Sequence, residues 1–183
     1  TLILAPTREL AAQVAESFKK FSANNKLSMA LLIGGVSFAD QNAALSKGVD
    51  VLIATPGRLL DHFERGKVLL NDVKILVIDE ADRMLDMGFI PDIKKIFECT
   101  SQDQQVLMFT ATLNKQIEKI AQQFLKDPQR IAIEQENKAN KNIQQIAYPV
   151  ADYNQKKLVL VDVLNESDLN QAIIFTATKR EAD

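Results

Sequence analysis

The chain has 183 residues, of which 46% are apolar and 25% are charged, and its formal net charge is −2 at pH 7. This composition is typical of a folded globular protein, and it excludes a polybasic chain that would bind nucleic acid or membranes by net charge alone. Any anion must therefore be bound through local geometry. The single cysteine, Cys99, and the single histidine, His62, exclude an internal disulfide and a cysteine–histidine zinc site.

The apolar runs of the sequence are short. None of them approaches the roughly 18 residues of a membrane helix, and the opening TLILAPTREL has no basic segment before its apolar run. We therefore expect a soluble, cytoplasmic protein with no membrane partner. Because the sequence opens on Thr1 inside an apolar run and ends at TKREAD as a helix begins, we also expect it to be an excerpt.

Apolar runs alternate with stretches of helical period along the first two thirds of the chain. Amphipathic helices are predicted where apolar residues recur every three or four positions, around Leu10, Val14 and Phe18, and again around Ile117 and Phe124. The alternation predicts an α/β protein, a parallel sheet with helices on both faces. The predicted strands are LILA (2–5), MALLIG (29–34), DVLIAT (50–55), KILVID (74–79), QVLMFT (105–110) and RIAIE (130–134).

A polar stretch, EQENKANKNIQQ, follows the last of these strands. It could bury almost nothing, so we predict a first domain over residues 1–136, a linker over 137–144 and the opening of a second domain over 145–183. That opening is predicted as one βαβ unit, with strands at IAYPV (146–150) and QAIIFT (171–176) around a helix. Phe175 is expected to lie in its core.

Two segments lead from predicted strands into predicted helices and carry a cation. In LAPTREL, Thr7 is a candidate N-cap and Arg8 is free to reach an anion; in ATPGRLL, Thr55 is a candidate N-cap, and Gly57 leaves the backbone open beside Arg58. Ligands of parallel sheets gather at the carboxyl ends of the strands, where helix N-termini present unpaired N–H groups. These segments therefore predict phosphate binding.

Three carboxylates, Asp79, Glu80 and Asp82, follow the apolar run of residues 75–78. One interpretation is that they simply cap the next helix, since acidic residues are favoured in its first turn. The other is a Mg²⁺ site, because Mg²⁺ takes one or two carboxylates plus substrate phosphates and offsets their repulsion. A neighbouring carboxylate could then orient or deprotonate an attacking water. The segment alone leaves both interpretations open.

Other residues have simpler interpretations. Gly34 and Gly35 can form a turn after a strand. We expect His62 to be a helix-surface histidine without a partner, and Cys99 to serve packing.

The motifs together, in this order and on predicted strand ends, resemble the DEAD-box RNA helicases. The matching segments are PTRELA (6–11), GG (34–35), TPGR (55–58), DEAD (79–82), TAT (110–112) and IIFTATK (173–179). The resemblance covers essentially the whole chain and implies RecA-like domains. The stretch DEADRMLDMGF is similar to the bacterial RhlE-like branch of that family.

The resemblance implies a role for each motif. Asp79 would hold Mg²⁺ through water, Glu80 would activate the water that attacks the γ-phosphate of ATP, and Asp82 would bond to the TAT segment, coupling nucleotide state to strand separation through Thr110 and Thr112. The family usually has Ser at the position of Thr110, and Thr keeps the hydroxyl. Contacts to the RNA sugar-phosphate backbone would come from Thr7, Arg8, Gly34, Gly35, Thr55, Gly57 and Arg58, with Thr178 added by analogy.

One expected part is missing from these 183 residues. The phosphate-cradling loop, a glycine-rich segment ending in Gly-Lys-Ser or Gly-Lys-Thr, does not occur. We therefore expect an ATP-dependent RNA helicase whose 183 residues do not hydrolyse ATP by themselves. The alternatives are a non-catalytic RNA-binding clamp with the same fold, a Mg²⁺-dependent phosphohydrolase, which would leave PTRELA and TPGR without a role, and a helicase acting on DNA.

Overall fold

The computed structural model describes residues 1–101, 103–133, 143–165 and 169–182. The chain divides into two units, Thr1–Arg130 and Ile131–Asp183. The first contains β1 (Leu2–Leu4), α1 (Arg8–Phe21), β2 (Met29–Leu32), α2 (Phe38–Leu45), β3 (Val51–Ala54), α3 (Pro56–Glu64), β4 (Ile75–Ile78), α4 (Ala81–Asp86), α5 (Ile90–Cys99), β5 (Gln105–Met108) and α6 (Lys115–Phe124). The second contains α7 (Tyr153–Leu164) and α8 (Lys179–Ala182).

The strands of the first unit form one parallel sheet in the order β2-β3-β1-β4-β5. The chain reaches each parallel neighbour through a helical crossover, as parallel pairing requires. Five of the six strands predicted before the linker are present within their predicted bounds, and the predicted parallel α/β fold is confirmed.

Helices cover both faces of this sheet. Leu2 and Leu4 of β1 point into the larger core, which is closed by α3, α5 and α6. Ile3 and Ala5 point to the other face, where α1 packs through Leu10 and its neighbours one and two turns on. Alternate residues of one strand thus enter different cores, which explains why the strands are apolar throughout.

The sixth predicted strand, residues 130–134, is wrong over the part that the structure describes. Residues 130–133 form no strand, and Ile131 and Ile133 are 87% and 91% exposed. A β-strand exists only when it is hydrogen-bonded to a neighbouring strand. An apolar sequence pattern by itself cannot provide that neighbour.

In the second unit the predicted helix is present and the predicted strands are not. Residues 146–150 and 171–176 are irregular and exposed, and so is Phe175, which we expected in a core. Two parallel strands and one helix would leave a sheet face uncovered, and so small a sheet is not stable by itself. Residues 137–142 of the predicted linker lie outside the described residues.

Among the described residues, no helix is long and apolar enough to cross a membrane.

Candidate functional site

The predicted site segments of the first unit start from one edge of the sheet. Leu4 at the end of β1 is in register with Ala54 of β3 and with Ile78 of β4. Backbone hydrogen bonds continue past the strand ends: the N–H of Asp79 donates to the carbonyl of Leu4, and that of Thr55 donates to Leu32, both at 3.0 Å. Consequently, the acidic segment and the two cation-bearing helix starts lie along the same rim.

Asp79 is the first residue after β4 and is half-buried. One of its carboxylate oxygens accepts a hydrogen bond from the Glu80 N–H at 3.0 Å. Burial, reinforced by the neighbouring charge of Glu80, raises the pKa of Asp79 despite this bond. A cation beside Asp79 would offset both effects.

Glu80 stands at the N-cap position of α4 in the left-handed region, with φ 48°. An L-residue pays a strain for this conformation, which turns the chain abruptly from β4 into the helix. Its side chain makes no capping hydrogen bond and pairs instead with Arg83, at 3.1 Å. Simple capping therefore does not account for Glu80.

Asp82 joins the acidic segment to residues 110–112. One oxygen of its carboxylate accepts from the Thr112 N–H at 2.9 Å and from the Thr112 hydroxyl at 2.8 Å, and the other accepts from the Arg83 N–H at 3.1 Å. Burial works to raise the pKa of Asp82, but the bonds from Thr112 and Arg83 outweigh it and hold that pKa below its usual value. The Thr110 hydroxyl donates to the Thr112 carbonyl at 2.8 Å.

The helix start after β1 is packed against the glycine pair. Thr7 is the N-cap of α1, and its hydroxyl accepts from the Leu10 N–H at 3.2 Å, which leaves the hydroxyl proton available to donate. The guanidinium of Arg8 lies over Gly35, where a Cβ would be 2.5 Å from Nη1. Gly35 also has φ +75°, so glycine is required there for two reasons.

The side chain of Arg58 is largely buried, although its position at the start of a helix predicted an accessible cation. Its side chain is 11% exposed, its Nη1 donates to the Val36 carbonyl at 3.1 Å, and its guanidinium lies 4.1 Å from the centre of the Phe38 ring. Next to it, a Cβ on Gly57 would meet nothing within 4 Å, so the backbone there faces open space. Thr55 is the N-cap of α3 without a side-chain capping bond.

The prediction for His62 was wrong. His62 is fully buried, and its Nε2 lies 2.8 Å from the amide oxygen of Gln41, which is 4% exposed. Gln41 was not among the predicted site residues, and its amide nitrogen donates to the carbonyl of Ile33 at 2.9 Å. A signal was available, since His62 and Leu59 lie one turn apart and both fall on the apolar face of α3.

Thr178 belongs to the second unit. Its hydroxyl accepts from the Glu181 N–H at 3.3 Å, while the Glu181 carboxylate accepts from the Ala177 N–H at 3.1 Å. This reciprocal pattern resembles a capping box at the start of α8.

The five-stranded parallel sheet, with acidic, hydroxyl-bearing and cationic residues at its strand ends, defines an α/β protein of RecA-like fold. The profile of the family described as DEAD/DEAH box helicase matches residues 1–120, and the chain belongs to that family.

Similar proteins of known sequence cover the whole chain. A probable ATP-dependent RNA helicase ddx17 from Dictyostelium discoideum is 44% identical over 183 residues. The ATP-dependent RNA helicases DBP2 of Vanderwaltozyma polyspora and Gibberella zeae are 40% and 44% identical over 185 residues. The chain spans only 23%, 42% and 33% of these three proteins, respectively.

Solved structures show the same fold. A DEAD box protein from the hyperthermophile Methanococcus jannaschii matches with a TM-score of 0.69 and 37% identity, over 91% of this chain and 44% of that one. A hypothetical ATP-dependent RNA helicase from Sulfolobus tokodaii matches with a TM-score of 0.66 and 35% identity, over 70% of this chain and 38% of that one.

Proposed function

We propose that this chain is part of an ATP-dependent RNA helicase, in which it presents a nucleotide-hydrolysing group and an RNA-backbone surface on one edge of a sheet. The observation that carries the proposal is the common register of the strand ends, which sets Asp79 beside the segments that bear Arg8 and Arg58. The complete protein would couple ATP binding and hydrolysis to local separation of RNA strands.

On the nucleotide side, Asp79 and Glu80 would suit Mg²⁺, because consecutive residues just past the end of β4 carry the hard carboxylate oxygens that Mg²⁺ prefers. Burial raises the pKa of Asp79, and a nearby cation would oppose that effect. Asp79 would hold the ion through water. When bound, Mg²⁺ neutralises charge on the phosphates. Glu80 would accept a proton from the attacking water, and its pairing with Arg83 keeps its carboxylate oriented.

On the RNA side, the open backbone at Gly57, the exposed Arg8 and the spare proton of the Thr7 hydroxyl all suit phosphate oxygens. Binding to phosphate and sugar would be independent of base sequence. The proposed contacts in the first unit are Thr7, Arg8, Gly34, Gly35, Thr55, Gly57 and Arg58. Thr178, in the second unit, stays a separate prediction that rests on analogy with the family alone.

Coupling between the two ligands is assigned to the hydrogen bonds of Asp82. They link the start of α4, beside the proposed nucleotide site, to Thr112, and the Thr110 hydroxyl braces the same turn. A movement of either segment would therefore displace the other through these hydrogen bonds.

Three finer points stay predictions. The first domain would span 1–136, and a second RecA-like domain would open at 145. The protein would be cytoplasmic. Residues 79–89 resemble the RhlE-like branch, although the three helicase sequences compared above are eukaryotic.

The decisive experiment is Glu80→Gln in the complete protein that contains this chain. ATP and RNA binding should persist while RNA-stimulated ATP hydrolysis falls by about two to four orders of magnitude, because only the proton acceptor is lost. The matched control is Asp86→Asn, which neutralises an exposed carboxylate at the other end of α4 and should leave turnover unchanged.

The same assay separates the alternatives. RNA binding without any ATP turnover in the unsubstituted protein would favour the non-catalytic clamp. Turnover that RNA does not stimulate would favour a phosphohydrolase, and equal unwinding of DNA duplexes would remove the preference for RNA.

A further inference from the structure

Two buried polar side chains, Gln41 of α2 and His62 of α3, form a hydrogen-bonded chain that ends on the backbone before the glycine pair. The Gln41 amide nitrogen donates to the Ile33 carbonyl at 2.9 Å, so its amide oxygen faces His62 Nε2, 2.8 Å away. Because that oxygen can only accept, Nε2 must carry the proton. This tautomer leaves His62 Nδ1 as a bare acceptor, and within the described part of the chain it has no partner.

The backbone is also held on the far side of the glycine pair. Arg58 donates to the Val36 carbonyl at 3.1 Å, while Arg8 covers Gly35 itself. The turn of residues 33–36 is therefore tied at its first residue by Gln41 and at its last by Arg58.

The ring of Phe38 closes this assembly. Its centre lies 4.8 Å from that of the His62 ring and 4.1 Å from the Arg58 guanidinium carbon. Arg65 stacks on the same phenyl ring at 4.5 Å. His62 and Arg58 belong to α3, and Arg65 follows its last residue. These contacts with Phe38 therefore fix α2, which begins at Phe38 just after the turn, against α3 and its C-terminal end.

We propose that His62 and Gln41 are positioning residues that hold the Gly34–Gly35 turn in the geometry required to contact the RNA backbone. The inference rests on the proposed RNA-binding function and adds to it two residues outside the motifs. Burying an amide and an imidazole is costly unless they are paired, and an aliphatic pair would fill the same space without an unpaired nitrogen. What the polar pair adds is a directed bond to Ile33.

The test uses two disruptive variants, Gln41→Leu and His62→Phe, in the complete protein. Each should weaken binding of single-stranded RNA about fivefold, the equivalent of one hydrogen bond, with ATP affinity unchanged. The double variant should bind RNA no more weakly than Gln41→Leu alone, because both substitutions break the same chain. His62→Gln, whose amide can donate to Gln41, should restore most of the affinity.

A second measurement reports on the turn itself. Amide hydrogen exchange over residues 33–37 should speed up in both disruptive variants and return in His62→Gln. The matched control is Ile120→Val, a core truncation in α6 that should lower the melting temperature without altering RNA affinity or exchange at the turn. If Gln41→Leu does not fold, Gln41→Met, a flexible side chain of similar length, replaces it.

The results distinguish the two proposals. Variants that lose melting temperature but keep both RNA affinity and slow exchange at residues 33–37 would overturn the positioning role. If the unsubstituted protein binds no RNA, the proposed function fails and the RNA role of the pair fails with it; faster exchange in the variants would then show only that the pair holds the turn.

Discussion

At the scale of single residues, burial decides what a side chain does. His62 and Asp79 are both titratable, and for both of them burial is the main cause of the pKa shift. Desolvation disfavours the charged form, so it lowers the pKa of the histidine and raises that of the carboxylic acid. Only the tertiary structure shows that either group is buried.

The pKa of His62 predicts a pH dependence of stability. Burial first, then the charge of Arg58 and more weakly that of Arg65, lower this pKa, while Asp61 opposes them. The unfolded state therefore binds the proton more readily, so the contribution of His62 is complete above the ordinary histidine pKa of about 6.5 and is lost as pH falls below it. The free energy of unfolding, measured by chemical denaturation between pH 5 and 8, should fall on the acidic side of this range. His62→Gln should remove that fall. An equal drop in His62→Gln would assign it to other groups.

Gly57 offers a test of backbone approach at a single position. A Cβ there meets nothing within 4 Å, and alanine in a helix is more favourable than glycine by about 0.5–1 kcal/mol. Gly57→Ala should therefore raise the melting temperature slightly and weaken RNA binding, because the methyl group stands where a phosphate would approach. Unchanged RNA affinity in a stabilised variant would remove Gly57 from the proposed surface. Gly35→Ala is the contrasting case and should lose stability, since its φ and Arg8 both oppose a Cβ.

At the scale of elements, helix starts and strand ends are where the site is assembled. α1, α3 and α4 each begin within a few residues of a strand end, so their first turns face the same rim. Thr7 satisfies a first-turn N–H of α1, and Asp82 does so in α4 while also reaching Thr112. One carboxylate thus serves both local capping and a contact 30 residues away.

That longer contact can be tested by a double-mutant cycle of Asp82→Asn and Thr112→Val. The pair is exposed, so its coupling energy should be modest, about 1 kcal/mol in unfolding measurements. In the complete protein, each single variant should lose RNA unwinding more than ATP hydrolysis. Additive stability effects together with parallel losses of both activities would mean that the contact does not couple the two ligands.

At the scale of the whole molecule, an acidic chain must gather its cations locally to bind a polyanion. The net charge is −2, yet Arg8 and Arg58 lie on one rim beside open helix starts. In the proposed function, local geometry would therefore replace net charge as the source of phosphate affinity.

Arg8→Ala should therefore weaken binding of unrelated single-stranded RNA sequences by the same factor. Loss of one phosphate contact should also reduce the slope of log affinity against log salt by about 0.7. Lys20→Ala, which removes an exposed cation from the last turn of α1, is the matched control and should change neither quantity. A loss confined to one RNA sequence would contradict backbone recognition.

The sequence by itself determined the strands of the sheet and the order of the site segments, because apolar runs, N-cap residues and helical periodicity are local properties. It did not distinguish these strands from three other mostly apolar runs, residues 130–133, 146–150 and 171–176, because a strand requires a partner that local pattern cannot provide. Nor did it reveal His62 and Gln41, which lie 21 residues apart and meet only because α2 and α3 pack together. The local chemistry of each segment follows from its own residues, whereas burial and pairing depend on which distant segments the fold brings into contact.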